Sequence, residues 1–117
     1  MNYAARGNKA DLTVSRHLEN VGFCVGSRRH TAGAGDLLAV RWTVDPDHEF
    51  LTYDVWLLEV KTSERSPWND FGPGDRRALS DEAARIGGVA WMAWKPPRKQ
   101  LTLIPESDWP GAGREAA

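Results

Sequence analysis

The sequence contains a single cysteine, Cys24, among its 117 residues. One thiol cannot form a disulfide within the chain, which excludes a disulfide-stabilised scaffold and a cysteine-rich metal site. Long apolar runs are also missing, because no window approaches the roughly 20 apolar residues that a membrane-spanning helix needs, and no signal peptide is evident. We therefore expect a cytoplasmic protein without a membrane partner. Cys24 lies in an apolar segment and is predicted to be a core thiol.

A strong charge of one sign is missing as well. Fifteen Lys and Arg against sixteen Asp and Glu give a net charge of −1, so the overall positive field typical of many nucleic-acid-binding proteins is absent. Six basic residues face three acidic ones within residues 1–41, which leaves room for a locally basic face. The length, the 41% hydrophobic content and the 26% charged content fit one soluble globular domain.

Hydrophobic periodicity and turn residues predict the order helix, three strands, helix, two strands. The predicted ranges are a helix over 8–20, strands over 23–25, 36–42 and 53–61, a helix over 75–86, and strands over 89–94 and 101–104. Asn8 and Asp11 resemble a capping box that opens the first helix. This order indicates an α/β fold, a mixed β-sheet flanked by helices, in a single domain over residues 1–110. Residues 111–117 are expected to form a flexible C-terminal tail.

Glu59 and Lys61 interrupt the strongest strand of the sequence. Side chains alternate across a strand, so these two share one face while Leu58 and Val60 share the other. Charged groups in an apolar strand either reach solvent as a surface ion pair or act together in a polar site, because an unpartnered buried charge is costly. The pair alone does not decide between the two.

Asp36 favours the polar site. It follows a glycine-containing segment, 32–35, and opens a strand that we expect to form a hairpin with the strand of Glu59. Asp36 and Glu59 would then lie at the same end of the sheet, where two carboxylates repel each other unless a cation or a proton intervenes. Mg²⁺ suits one or two carboxylates and retains waters for a phosphate. Alternatively, Asp36 is a turn aspartate that caps its own backbone.

Asp11 is a third candidate acid. Its spacing from Val14 and Leu18 places it on the apolar stripe of the first helix, facing the sheet. A first-turn aspartate that interacts with the helix dipole is the alternative. Several basic residues could contact DNA phosphates, or could simply be solvated surface. They are Arg6, Lys9, Arg28, Arg29 and His30.

Taken in order, these motifs resemble the archaeal-type Holliday junction resolvases, within the PD-(D/E)xK nuclease superfamily. The resemblance covers about residues 5–95. It rests on Arg6-Gly7, an acid at position 11, Gly22-Phe23, the Ser/Thr-Ala-Gly loop before Asp36, Glu59-Val60-Lys61-Thr62, and Ile86-Gly87-Gly88-Val89-Ala90.

The resemblance implies a restriction-endonuclease-like fold and a Mg²⁺-dependent endonuclease, with Mn²⁺ able to substitute, that cleaves branched DNA. Asp36 and Glu59 would be metal ligands together with the Val60 carbonyl, and Lys61 the catalytic lysine. Asp11 stands where the family usually has glutamate and would help to bind the metal or the attacking water. Family members are typically homodimers, so a homodimer is expected here.

Some features depart from the family pattern. Asp replaces Glu at position 11, Leu12 stands where the family often has arginine, and the segment between Asp36 and Glu59 is longer than usual. Three alternatives therefore stay open. The chain could be a nuclease of the same fold acting on another DNA structure or sequence, a catalytically inactive DNA-binding module, or a small interaction domain without a DNA role.

Overall fold

A mixed five-stranded sheet forms the centre of the computed structural model, which describes residues 3–29, 33–47 and 50–111. The strands lie side by side in chain order. They are β1 (Cys24–Ser27), β2 (Leu37–Asp45), β3 (Phe50–Lys61), β4 (Val89–Trp94) and β5 (Thr102–Pro105). Two helices, α1 (Tyr3–Asn20) and α2 (Pro73–Arg85), and a short 3-10 helix (Glu106–Asp108) complete the described structure.

One parallel strand pair makes the sheet mixed. Strands β3 and β4 run parallel, whereas every other neighbouring pair is antiparallel. A parallel pair needs a crossover connection, and α2 provides it. Lys61 pairs with Trp94 in this register, so the carboxyl ends of β3 and β4 lie at the same edge of the sheet.

The alternation of side chains along β3 divides the core into two layers. Leu58 and Val60 pack beneath α1, together with its fully buried Val14 and Leu18. Leu57 points to the opposite face and packs beneath α2, in a cluster with Leu79, Met92 and Trp109. This two-sided burial explains why β3 contains an almost continuous apolar run rather than a simple polar–apolar alternation.

The hairpin of β2 and β3 extends beyond both helices. Trp42 pairs with Tyr53, and Val44 pairs with Leu51. These four residues lie on one face of the hairpin, and the two aromatic residues, Trp42 and Tyr53, are 56% and 61% exposed. The hairpin therefore carries a contiguous apolar surface that no helix of the described chain covers, and we call these four residues the hairpin surface.

The structure confirms the predicted fold class and element order, but not every local prediction. Helix α1 begins at Tyr3, so the predicted capping box at Asn8 is wrong, because that residue lies inside the helix. The prediction for Cys24 is also wrong: it opens the edge strand β1 and is exposed. Residues 112–117 of the predicted tail lie outside the described residues. Neither α-helix of the described chain combines the length and apolar character needed to cross a membrane.

Candidate active site

Glu59 and Lys61 face the same side of β3, as their spacing predicts. The Lys61 Nζ lies 3.5 Å from Glu59 Oε1, and the two side chains are only 23% and 19% exposed. Lys61 Nζ also lies 6.0 Å from the centre of the Phe71 ring, within the range of a cation–π contact. The pair is therefore part of a half-buried polar site rather than a surface ion pair.

Three hydrogen bonds to backbone groups fix Asp36 between β3 and the segment after β1. Its N–H donates to the Leu58 carbonyl at 2.8 Å, and its own carbonyl accepts from the Arg28 N–H at 2.7 Å. The Val60 N–H donates to Asp36 Oδ2 at 2.8 Å. Because Leu37 pairs with Leu58, Asp36 lies beside Glu59 at the end of the hairpin. The sequence-based expectation that these two acids meet at one end of the sheet is thus confirmed.

Gly35 permits this placement of Asp36. Its φ of +100° lies in the region that favours glycine, and a Cβ there would lie 2.7 Å from Leu57 Cδ1. A side chain at position 35 would therefore meet the buried core of β3 and move the following aspartate.

Arg29 connects Asp11, the third predicted acid, to the site. Its guanidinium makes a two-pronged contact with Asp11, in which Nε donates to Oδ2 and Nη2 donates to Oδ1 at 2.8 Å. Its Nη1 lies 3.3 Å from Asp36 Oδ1. Asp11 is only 8% exposed, so this arginine supplies the partner that a buried carboxylate needs. A planar guanidinium suits such a bridging position better than an ammonium group.

Burial dominates the electrostatics of the two clustered carboxylates. The pKa of Glu59 is raised to about 7, first by burial and then by the charge of Asp36, while Lys61 opposes the shift. The pKa of Asp36 is also raised by burial, against the Val60 N–H and the Arg29 charge, which lower it. Positive charge from Arg29 and Lys61 therefore compensates the two acids only in part.

A cavity of about 340 Å³ opens in front of these groups. Asp36, Glu59 and Lys61 line it together with Arg28 and Arg29. Asp11 is not among the lining residues described, because α1 packs on the opposite face of the sheet from Glu59. The structure thus brings three of the four predicted catalytic residues into one cavity and connects the fourth, Asp11, through Arg29.

Two further lining residues, Phe71 and Asp75, were not predicted as site residues. Phe71 belongs to the loop after β3, and Asp75 lies in the first turn of α2. A first-turn aspartate is common for helix-dipole reasons alone, so the sequence carries no signal that places Asp75 in the cavity. The β3–α2–β4 crossover brings both residues to this edge of the sheet.

The donor set of the cavity fits a hard divalent cation. Within the described residues no three His, Cys, Asp or Glu side chains form a metal-binding group, and the neighbouring carboxylates of Asp36 and Glu59 are the candidate ligands in the cavity. Mg²⁺ is commonly held by one or two carboxylates plus waters and substrate phosphate. The Val60 N–H faces Asp36, and the carbonyl of a strand residue points to the same side as its N–H. A backbone oxygen is therefore available beside the two carboxylates.

The predicted DNA-binding residues have different surroundings. Lys9 is exposed on α1, Arg28 lines the cavity, and Arg29 is held by the carboxylates. The side chain of Arg6 and the whole of His30 lie outside the described part of the chain. DNA contact by these five residues stays a prediction.

No protein-family model matches the sequence, and no curated protein gives a significant match. Among solved structures, the chain is similar to Hjc, a Holliday junction resolvase from the archaeal hyperthermophile Archaeoglobus fulgidus. The TM-score is 0.67 at 19% identity, over 87% of this chain and 74% of the Hjc chain. This likeness confirms the restriction-endonuclease-like fold expected from the sequence. The chain therefore has the fold of the Holliday junction resolvases that its sequence motifs resemble.

Proposed function

We propose that this protein is a divalent-metal-dependent endonuclease that cleaves phosphodiester bonds in branched DNA, with four-way junctions as its substrate. The observation that carries the proposal is the position of Asp36. Its carboxylate accepts a hydrogen bond from the β3 backbone directly beside the Glu59–Lys61 pair, in a cavity of a resolvase-like fold. Because a fold alone does not define an activity, the site geometry is the main support.

Asp36, Glu59 and the Val60 carbonyl are the groups that would hold Mg²⁺, and Mn²⁺ offers similar chemistry to oxygen ligands. When bound, the ion would polarise the scissile phosphate and lower the pKa of the attacking water. The raised pKa of Glu59, which burial and the Asp36 charge cause, supports this assignment because a nearby cation would favour the ionised carboxylates.

Lys61 and Arg29 supply the fixed positive charge of the site. Lys61 is held by Glu59 at the cavity wall, where its ammonium group would orient the attacking water or stabilise charge developing on the phosphate. Arg29 would position Asp36, since it contacts that carboxylate and Asp11 together. A direct role of Asp11 as a metal ligand stays a prediction.

We further propose that the enzyme acts as a homodimer, because a four-way junction is resolved by two cuts in two strands. The hairpin surface of Trp42, Val44, Leu51 and Tyr53 supports this. Contiguous exposed apolar residues on a soluble domain commonly mark an interface.

The activity is tested with four DNA substrates of the same sequence: a four-way junction, a flap, a single strand and a linear duplex. Each is incubated with the wild type, Asp36→Asn or Glu59→Gln, in Mg²⁺, Mn²⁺ or EDTA. Glu19→Gln, which removes an exposed acid from α1, is the matched control. We expect the wild type and Glu19→Gln to cut the junction in either metal, and both site variants to lose cutting by a factor of at least about 100.

Other outcomes separate the alternatives. Preferential cutting of flap or linear duplex would identify a nuclease of this fold with another DNA substrate. Tight binding of the junction without metal-dependent cutting would identify an inactive binding module. Equal cutting by the wild type and both site variants would overturn the assignment of the site.

A further inference from the structure

The turn between β4 and β5 is the most basic segment of the chain outside the cavity. Residues 95–105 contain Lys95, Arg98 and Lys99 and no acidic residue, although the protein as a whole is slightly acidic. We call residues 95–99 the basic turn. Neither the motifs of the sequence nor the cavity accounts for it.

The basic turn begins at the edge of the sheet that carries the site. Trp94 pairs with Lys61 across the parallel strands, and the next residue, Lys95, donates its N–H to the Lys61 carbonyl at 2.9 Å. The Trp94 indole Nε1 donates to the Ser63 carbonyl at 2.7 Å, which ties the turn to the segment after Lys61. Neighbouring strands lie about 4.8 Å apart, so the basic turn starts directly beside Lys61.

The turn is rigid and holds an arginine in an unusual conformation. Pro96 and Pro97 fix two backbone angles, and the Lys99 N–H donates to the Pro96 carbonyl at 3.2 Å. Arg98 has a φ of +61°, a left-handed conformation that favours glycine and is uncommon for arginine. A strained backbone at an exposed arginine is consistent with a use for its side chain.

The two charges at the tip of the turn are available for a ligand. Arg98 and Lys99 are exposed, and within the described chain neither has an ion pair or a side-chain hydrogen bond. In contrast, Arg29, Arg41 and Arg85 are each paired with a carboxylate. Lys95 is half-buried, and its ammonium group donates a hydrogen bond to the Pro96 carbonyl. The proposal therefore rests on Arg98 and Lys99.

We propose that the basic turn binds the sugar-phosphate backbone of a DNA arm beside the scissile phosphate, with Arg98 and Lys99 each contacting one phosphate. This inference rests on the proposed function, since it requires DNA at the cavity. It adds a metal-independent contact that positions the duplex over Lys61. Because phosphates carry no sequence information, the contact would strengthen binding to every DNA sequence alike.

Arg98→Gly separates binding from folding, because glycine suits the left-handed conformation while the charge is lost. The dissociation constant for a labelled four-way junction is measured in EDTA between 0.05 and about 0.3 M salt, a range over which phosphate contacts are strongly salt-dependent. Loss of one phosphate contact should weaken binding about eightfold at 0.1 M salt and reduce the salt slope by about 0.9. Arg98→Ala/Lys99→Ala should weaken it roughly 60-fold and reduce the slope by about 1.8. The melting temperature of Arg98→Gly should equal or exceed that of the wild type.

Arg16→Ala is the matched control, because it removes one exposed charge from α1 without touching the turn. Its affinity and slope should stay near the wild-type values. Unchanged binding by both turn variants, or an equal loss in Arg16→Ala, would overturn this inference while leaving the nuclease proposal intact. A wild-type protein that binds no DNA at all would instead overturn the proposed function, and the turn contact with it.

Discussion

At the scale of single residues, the site is a set of carboxylates with specific partners. Asp11 is paired with Arg29, Asp36 with the Val60 N–H, and Glu59 with Lys61. Part of this arrangement follows from the sequence, since alternation along a strand places Glu59 and Lys61 on one face. The role of Arg29 does not follow, because several arginines lie in the first third of the chain and only long-range packing selects the one that reaches Asp11.

The raised pKa of Glu59 predicts a pH-dependent stability of the metal-free protein. Its pKa lies at about 7 in the folded state against 4.5 for an ordinary glutamate, chiefly because of burial. The folded chain therefore prefers protonated Glu59, so this stabilisation is complete below about pH 4.5 and is lost as the pH rises to about 7. The contribution of Glu59 to the free energy of unfolding therefore falls by about 3 kcal/mol over this range.

Urea unfolding in EDTA from pH 4.5 to 8 measures this loss. The free energy of unfolding of the wild type should fall with pH relative to that of Glu59→Gln, which lacks the titrating group. Asp36, whose pKa is also raised by burial, adds a slope of the same sign in both proteins. Parallel curves for the two proteins would show that Glu59 titrates normally.

Arg29 is expected to stabilise the fold through Asp11. Arg29→Ala leaves a buried carboxylate without its charged partner, which should cost about 1–3 kcal/mol. Arg85→Ala breaks the exposed pair with Glu82, in which the arginine is 68% exposed, and should cost less than about 1 kcal/mol. Chemical unfolding of both variants gives the comparison. An equally small effect of the two substitutions would mean that Asp11 does not depend on Arg29.

At the scale of elements, periodicity predicted the core of each helix and strand better than its ends. Strand β4 spans its predicted range, whereas α1 begins five residues before position 8. Gly7 lies within the first turns of α1 and disfavours a helix there, so the local sequence pointed to a later start. Strands β2 and β3 extend past the predicted limits because Thr43, Val44 and 50–52 continue the hairpin pairing up to the turn.

The loop-to-strand junction at Gly35 is expected to be the most sensitive backbone position of the site. Gly35→Ala combines a left-handed backbone cost of about 1–2 kcal/mol with overpacking against Leu57 of about 1–3 kcal/mol. It should lower the free energy of unfolding and also reduce junction cleavage, since Asp36 follows directly.

Gly74→Ala provides the matched glycine control. Among the described residues, no atom lies within 4 Å of a Cβ at Gly74, and alanine favours a helix by up to about 1 kcal/mol. This variant should be as stable as the wild type or more so, with unchanged cleavage. If Gly35→Ala behaved in the same way, Leu57 would be yielding to the new methyl group and the junction would not fix Asp36.

At the scale of the whole molecule, the sequence predicted the α/β class and a mixed sheet flanked by helices, but not the hairpin surface. Trp42 and Tyr53 have the character of ordinary strand residues, and only the three-dimensional arrangement shows that neither helix of the described residues covers them. An exposed apolar hairpin is a liability for a monomer, and a second copy would bury it.

Sedimentation equilibrium tests the proposed dimer. The wild type should associate as a dimer, whereas Trp42→Ser/Leu51→Ser should be monomeric, because both side chains lie on the hairpin surface. Leu12→Ser, which changes an exposed leucine on α1, should stay dimeric. A wild type that is monomeric at all concentrations, or a dimer that persists in the double variant, would contradict this interface.

The central claim is that the carboxylates of residues 36 and 59 bind one divalent ion jointly. Calorimetric titration with Mn²⁺, in the absence of DNA, tests it most directly. We expect saturable binding by the wild type and by Glu19→Gln, and a loss of affinity of at least about tenfold, or about 1.4 kcal/mol, in both Asp36→Asn and Glu59→Gln. Wild-type affinity in both site variants would contradict the claim.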